Sequence, residues 1–279
     1  MTRETLTLYQ LGYNAETPMS MAPHVWKTLL PLRRLGVEFK RELVTLTQLR
    51  EELPQKLGYE KVTLPTLLIT AENGSTSTVM DSYRIAQYLE QRFAASTVSL
   101  FAPACDGPPE DVIAGRNFAR FMEEFVDKDL AHELRPCVLH TSYATFATEG
   151  PMHDPKSRAH FLAKCGQDKM DELTACNSDL AWKEDQYAKA RKQMGIINSI
   201  LKERFEAGIE DIFLAGAKPT HVDFVIFAFY PYSLTNSDLV RNTWRHPSLP
   251  YIGKWLDAIF DSGLVRREEL WPEPDVTRE

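Results

Sequence analysis

The chain has 279 residues, 43% apolar and 25% charged, with a formal net charge of −7, which provides for a buried core in one large domain or two ordinary ones. Acidic and basic residues are interspersed, so no basic stripe is offered to nucleic acid. The most apolar stretch, Val222–Tyr230, falls well short of the roughly 20 residues a bilayer span needs, and Met1–Leu11 lacks the charged start and apolar centre of a signal peptide.

Four cysteines, Cys105, Cys137, Cys165 and Cys176, form no Cys-x-x-Cys pair and have no histidine at zinc-finger spacing. Free thiols in a reducing compartment, here the cytoplasm, and no bound metal are expected.

Leu6–Leu11 alternates apolar and polar residues and reads as a strand. After a loop at 12–22, Val25, Leu29 and Leu32 mark one helical face, with Trp26 and Leu30 beside it. Pro23 suits the first helical position, Pro31 should kink or shorten the helix, and Gly36 should end it. Residues 37–46 read as a second strand and 47–57 as a short helical piece broken by Pro54. Thr63–Ile69 and Thr78–Met80 are predicted strands around the turn signal Asn73-Gly74. A helix follows from about Ser82 to Phe93, with Ile85, Leu89 and Phe93 on one face. The order β-α-β-α-β-β-α makes a mixed sheet covered by helices. The small, proline-rich run 94–109 reads as a linker, dividing a first domain at 1–94 from a second at 110–279.

No strand signal follows the linker. Val112–His140 is predicted as a helix with Phe118, Phe121 and Phe125 at helical spacing and Glu123, Glu124 and Asp127 facing away. Residues 141–185 are polar and weakly periodic, an insertion with partial helix. Ala190, Met194, Ile197, Leu201 and Phe205 form one apolar stripe over 186–205. Thr220 with Asp223 three residues on makes a capping box. Phe224–Tyr230, apolar all round, belongs at the centre of a helical bundle, and 255–260 suggests a final helix.

Three features can carry chemistry. Pro65 lies in a strand-like run, where proline cannot donate to a ladder. A cis Leu64–Pro65 bond would turn the Leu64 N–H and C=O outward to pair with an extended peptide; an edge-strand proline is the alternative. Asp81-Ser82 opens a helix after a strand, and the free N–H groups there attract carboxylates, with the Ser82 hydroxyl as a further donor; plain capping is the alternative. The loop 17–23 feeds another helix N-terminus suited to stabilising a thiolate, with Ser20 and Thr17 as hydroxyl donors or as caps.

Taken together, this order of elements, with Leu64-Pro65 before the hairpin and Asp81-Ser82 after it, resembles the thioredoxin-like domain of the glutathione transferases, and the Thr220–Asp223 box resembles that of their all-helical domain. Ala22-Pro23-His24-Val25-Trp26-Lys27-Thr28 is similar to the Ser-Pro-x-x-Trp-Lys/Arg-Thr motif of the fungal class related to bacterial β-etherases, as is Val62-Thr63-Leu64-Pro65. The resemblance implies an α/β thioredoxin-like domain followed by an all-α domain. It implies glutathione as co-substrate, held by Lys61, Thr63, Leu64, Pro65, Asp81 and Ser82, with no metal.

The second substrate implied is a hydrophobic, aromatic electrophile near His24 and Trp26, conjugated or cleaved at an ether. A two-fold homodimer is implied as well. The motif's serine falls on Ala22, which has no hydroxyl to offer a thiolate. Ser20 is the candidate replacement, backbone N–H groups the other. A carrier of hydrophobic small molecules with weak or no turnover is the alternative that Ala22 favours.

Overall fold

The computed structural model describes residues 4–12, 22–94, 98–102, 109–208 and 212–273. Alternation along β1 (Thr5–Leu11) sends Leu6 and Leu8 to one face of a sheet and Tyr9 to the other. β1 pairs in parallel with β2 (Lys40–Val44) and antiparallel with β3 (Thr66–Thr70), which pairs with β4 (Thr76–Met80), giving the order β2-β1-β3-β4. Gly74, at φ +79°, turns the β3–β4 hairpin, a conformation that favours glycine. β2 and β3 are shorter than expected. β3 starts only at Thr66, since Pro65 has no N–H for the ladder.

α1 (Pro23–Arg34) and α3 (Ser82–Phe93) cover the Leu6–Leu8 face. Pro31 lies inside α1 without ending it; with no N–H to donate to Lys27 O, it leaves α1 without that one hydrogen bond. Between β2 and β3, a π-turn at Gln48–Glu52 leads into α2 (Leu53–Leu57), which Gly58 ends in the left-handed region. Pro54 sits in the first turn of α2, so it opens a helix where a break was expected.

The rest of the described chain is helical. α4 (Pro109–Phe125), a π-turn at Val126–Leu130 and α5 (Ala131–Glu149) run on from one another. The segment 141–185, expected to be only partly helical, is mostly helix: the end of α5, then α6 (Pro155–Cys165), α7 (Gln167–Cys176) and the start of α8 (Leu180–Glu206). The predicted apolar helix is two: α9 (His221–Phe227) and α10 (Phe229–Ser233), parted where Pro231 cannot donate to Phe227 O. Every residue from His221 to Ser233 is buried. α11 (Ser237–Asn242), α12 (Pro250–Asp261) and a 3-10 turn at Arg267–Glu269 complete the chain. No helix among the described residues is long and apolar enough to cross a membrane.

One main core runs through both parts, from Leu6 and Leu8 through Trp26, Phe224 and Trp255 to Leu270. Gly115 of α4 lies against Phe101, and a Cβ there would stand 1.8 Å from Phe101 O. Gly115→Ala is therefore expected to lower unfolding free energy by about 1–3 kcal/mol through overpacking. A urea midpoint equal to that of the parent would show that this approach is looser than described.

Candidate functional site

The sheet register brings part of the predicted set to one place. Tyr9 lies opposite Thr66, and Thr66 opposite Met80. The end of β1, the Leu64–Pro65 step and the Asp81–Ser82 corner therefore share one end of the sheet, where the chain also enters α1. Thr17 and Ser20 lie outside the described residues.

The Leu64–Pro65 bond is cis. Thr66 Oγ1 donates to Thr63 O and pins the turn, while Leu64 stands ahead of the first ladder pair, Thr66 with Met80. Pro65 is buried, Leu64 half-buried, and Lys61 and Thr63 are exposed. Among the described residues Lys61 has no ion-pair partner.

Asp81 is, among the described residues, the one non-glycine at positive φ, +77°. Strain of this kind is held only where surrounding structure demands it. Its carboxylate accepts from Arg84 N at 3.0 Å and caps α3. α1 starts without such help: Ala22 makes no side-chain cap, and Pro23 has no N–H. A helix N-terminus of this kind carries partial positive charge.

Ser82 is 4% exposed, and its hydroxyl donates to Glu123 Oε1 at 3.3 Å. Glu123 was expected on the outer face of its helix; it is buried. The reason is Lys27, which is also buried and donates to Glu123 Oε1 at 3.3 Å and to Asp127 Oδ1 at 2.6 Å. A buried charge is tolerable only when paired. His221 Nε2 lies 3.6 Å from Glu123 Oε2. Burial alone would raise the Glu123 carboxyl, but His221 and Lys27 overcome it and hold it at about 2. Accordingly the inward stripe of α4 is Ala119, Met122 and Glu123, whereas Phe121 is 66% exposed.

Trp26, expected beside the second-substrate pocket, has no exposed surface. Its indole packs edge-on against Phe227 at 5.8 Å, inside the junction between the two parts of the chain. His24 is half-buried. Burial first, then the Lys27 charge, lower its pKa, so it presents a neutral imidazole near pH 7. The Cys137 thiol is pushed up to about 12 by burial and is not a nucleophile at neutral pH.

The structure thus joins Leu64–Pro65, Asp81–Ser82 and the start of α1, and adds Lys27, Glu123, Asp127 and His221, which the residue pattern did not single out. Lys27 next to Trp26 was the available signal, since a lysine on the buried side of an apolar helix requires acidic partners.

Residues 18–97 match the family model described as glutathione S-transferase, N-terminal domain. No curated protein matches the sequence. Among solved structures, glutathione transferase GSTFuA3 from Phanerochaete chrysosporium aligns with a TM-score of 0.69 at 18% identity, over 95% of this chain and 100% of that one. The glutathione S-transferase CsGST63524 of Ceriporiopsis subvermispora, in complex with glutathione, aligns at 0.63 and 18% identity over 94% and 99%. Rice GST1 (OsGSTU1), also in complex with glutathione, aligns at 0.59 and 17% over 98% and 92%. The chain carries a glutathione S-transferase N-terminal domain, and its fold as a whole is that of the glutathione transferases.

Proposed function

We propose that this protein is a glutathione transferase that activates the glutathione thiol for attack on hydrophobic, aromatic electrophiles, cleavage of β-aryl ethers among them. The observation that carries the reading is the sheet end itself, with the Leu64–Pro65 step just ahead of the Thr66–Met80 pair and the strained Asp81 at the head of α3 beside it. In this reading the Leu64 backbone pairs with the cysteinyl unit, assisted by Thr63 and Pro65. Lys61 meets the glycyl carboxylate, and Asp81 and the first N–H groups of α3 hold the γ-glutamyl end. Because the Ser82 hydroxyl already donates to Glu123, it acts as an acceptor toward the γ-glutamyl ammonium.

The thiol is held at the start of α1, where backbone N–H groups, with Ser20 as the candidate hydroxyl, favour the thiolate; its proton passes to solvent. Conjugation then forms a carbon–sulfur bond as the leaving group departs, and in ether cleavage that group is a phenolate. His24, half-buried in the first turn of α1, borders the second-substrate pocket in this reading. The protein works as a cytoplasmic homodimer in this reading, and exposed Ile113 and Phe121 on α4 supply apolar surface for such a contact.

Ala22, with no hydroxyl at the start of α1, favours a second reading, a carrier for hydrophobic molecules. Ultraviolet thiolate absorbance of saturating glutathione, titrated from acid to alkaline pH, separates the two. A transferase is expected to hold the thiolate at least about one pH unit below the free-thiol value near 8.5. Glutathione that binds but stays protonated until alkaline pH would leave only the carrier, and no binding would remove both glutathione roles.

A further inference from the structure

Helix α6 meets the chain where it leaves β2. Leu46 N donates to Pro151 O at 3.1 Å. Thr47 is held three ways: its N–H donates to Ser157 Oγ at 2.9 Å, its hydroxyl donates to Asp154 Oδ1 at 3.1 Å, and the same hydroxyl lies 2.8 Å from Ser157 Oγ. Asp154 also caps α6, accepting from Ser157 N at 2.8 Å. Desolvation would raise its carboxyl, but the donors at Ser157 and Thr47 hold it at about 2. One turn on, Glu51 pairs with Lys156 and, at 2.8 Å, with His160. Arg158 braces the α5–α6 turn from behind, donating to Met152 O at 3.2 Å and His153 O at 2.6 Å. Ser157 has no exposed surface, so the junction is a built one.

From Thr47 the chain continues into the π-turn, α2 and then the Lys61–Leu64 edge. This stretch does not share the main core. It rests on the opposite face of the sheet through a small core of Tyr9, Val44, Leu49, Leu53 and Val62. Segments with few buried apolar contacts open most readily. β3 fixes one end of this stretch, and α6 grips the other.

We infer that the α5–α6 turn and the head of α6 form a brace that holds the Lys61–Leu64 edge in its ligand-ready position, with Thr47, Asp154 and Ser157 as positioning residues. The polar contacts explain why the segment lacks an apolar stripe: it is held to the N-terminal part by hydrogen bonds and ion pairs. The positioning role rests on the glutathione reading above; the brace itself does not.

The test uses the full chain with Thr47→Val, which keeps the side-chain shape and loses the hydroxyl, and Thr47→Ser, which keeps the hydroxyl. Amide hydrogen exchange is followed without ligand, glutathione affinity by calorimetry, and turnover with an activated aryl halide. In Thr47→Val, amides in 48–62 are expected to exchange about tenfold faster while those of α9 stay unchanged. Glutathione should bind about fivefold more weakly, with kcat at saturating glutathione within about twofold of the parent, because only the ground-state hold is loosened. Thr47→Ser should restore all three.

Unchanged exchange in Thr47→Val would overturn the brace. Faster exchange with unchanged affinity would overturn the positioning role. A parent chain that binds no glutathione would overturn the glutathione reading and the positioning role with it, and the exchange data would still decide the brace.

Discussion

Asp223→Ala is expected to lower the unfolding free energy by about 4 kcal/mol or more, an effect at the far end of what single substitutions do. The Asp223 carboxylate is buried and accepts from Leu214 N at 3.0 Å, Thr220 N at 2.9 Å, Thr220 Oγ1 at 3.2 Å and Trp255 Nε1 at 2.9 Å. Alanine would leave these donors without a partner where water does not reach, at about 1–3 kcal/mol each. The carboxylate also closes the capping box of α9 and ties it to α12, so its loss loosens the centre of the helical part. Asp223→Asn keeps one acceptor and sets an amide donor against the remaining donors, and should fall between. Urea unfolding with an unchanged slope measures both. A loss under about 1 kcal/mol for the alanine variant would mean that the donors find other partners.

The second large effect is set by pH. Glu123 ionises at about 2 in the folded chain against an ordinary value of 4.5. A depressed folded pKa contributes stability that is fully present above the unfolded value and is lost as pH falls through the folded one. That window runs from about pH 5 to pH 2, and the gap corresponds to about 3 kcal/mol. Glu123→Gln should flatten the acid limb of the stability curve by about that amount. At neutral pH, Lys27→Met should cost about 3–5 kcal/mol, because it strands the buried carboxylate. Adding Glu123→Leu to Lys27→Met should recover part of the loss. Parallel acid limbs for parent and Glu123→Gln would show that the carboxylate is not held by its cationic neighbours.

The N-terminal fold was legible because its signals are local: alternation in β1, the Asn73-Gly74 turn, the apolar face of α3 and a proline where a ladder residue was expected. That Leu64–Pro65 and Asp81–Ser82 flank the hairpin, and so lie at one end of the sheet, was legible for the same reason. Glu123 was not. Its helical position beside Glu124 and Asp127 suggests a solvated face, and the lysine that draws it inward lies 96 residues earlier. Trp26 was misplaced because a tryptophan in a site-bearing motif can equally be packing, and only Phe227, from the other part of the chain, decides which. Segment 141–185 was illegible as helix because hydrogen bonds from Thr47, and not an apolar stripe, hold the head of α6.

The unbroken core bears on how such a molecule can be divided or recombined. A chain cut between 94 and 109 would leave Trp26, Leu29 and Leu30 on one piece, and Phe224, Phe227 and Trp255 on the other, facing water. The cut would also part the Arg33–Glu269 pair, whose two contacts span 2.7 and 3.1 Å. The first piece is therefore not a cassette to be moved onto a foreign helical partner. A chimera would have to carry three matched couples across the seam together, Trp26 with Phe227, Lys27 with Glu123 and Arg33 with Glu269, so the two parts are bound to change in step.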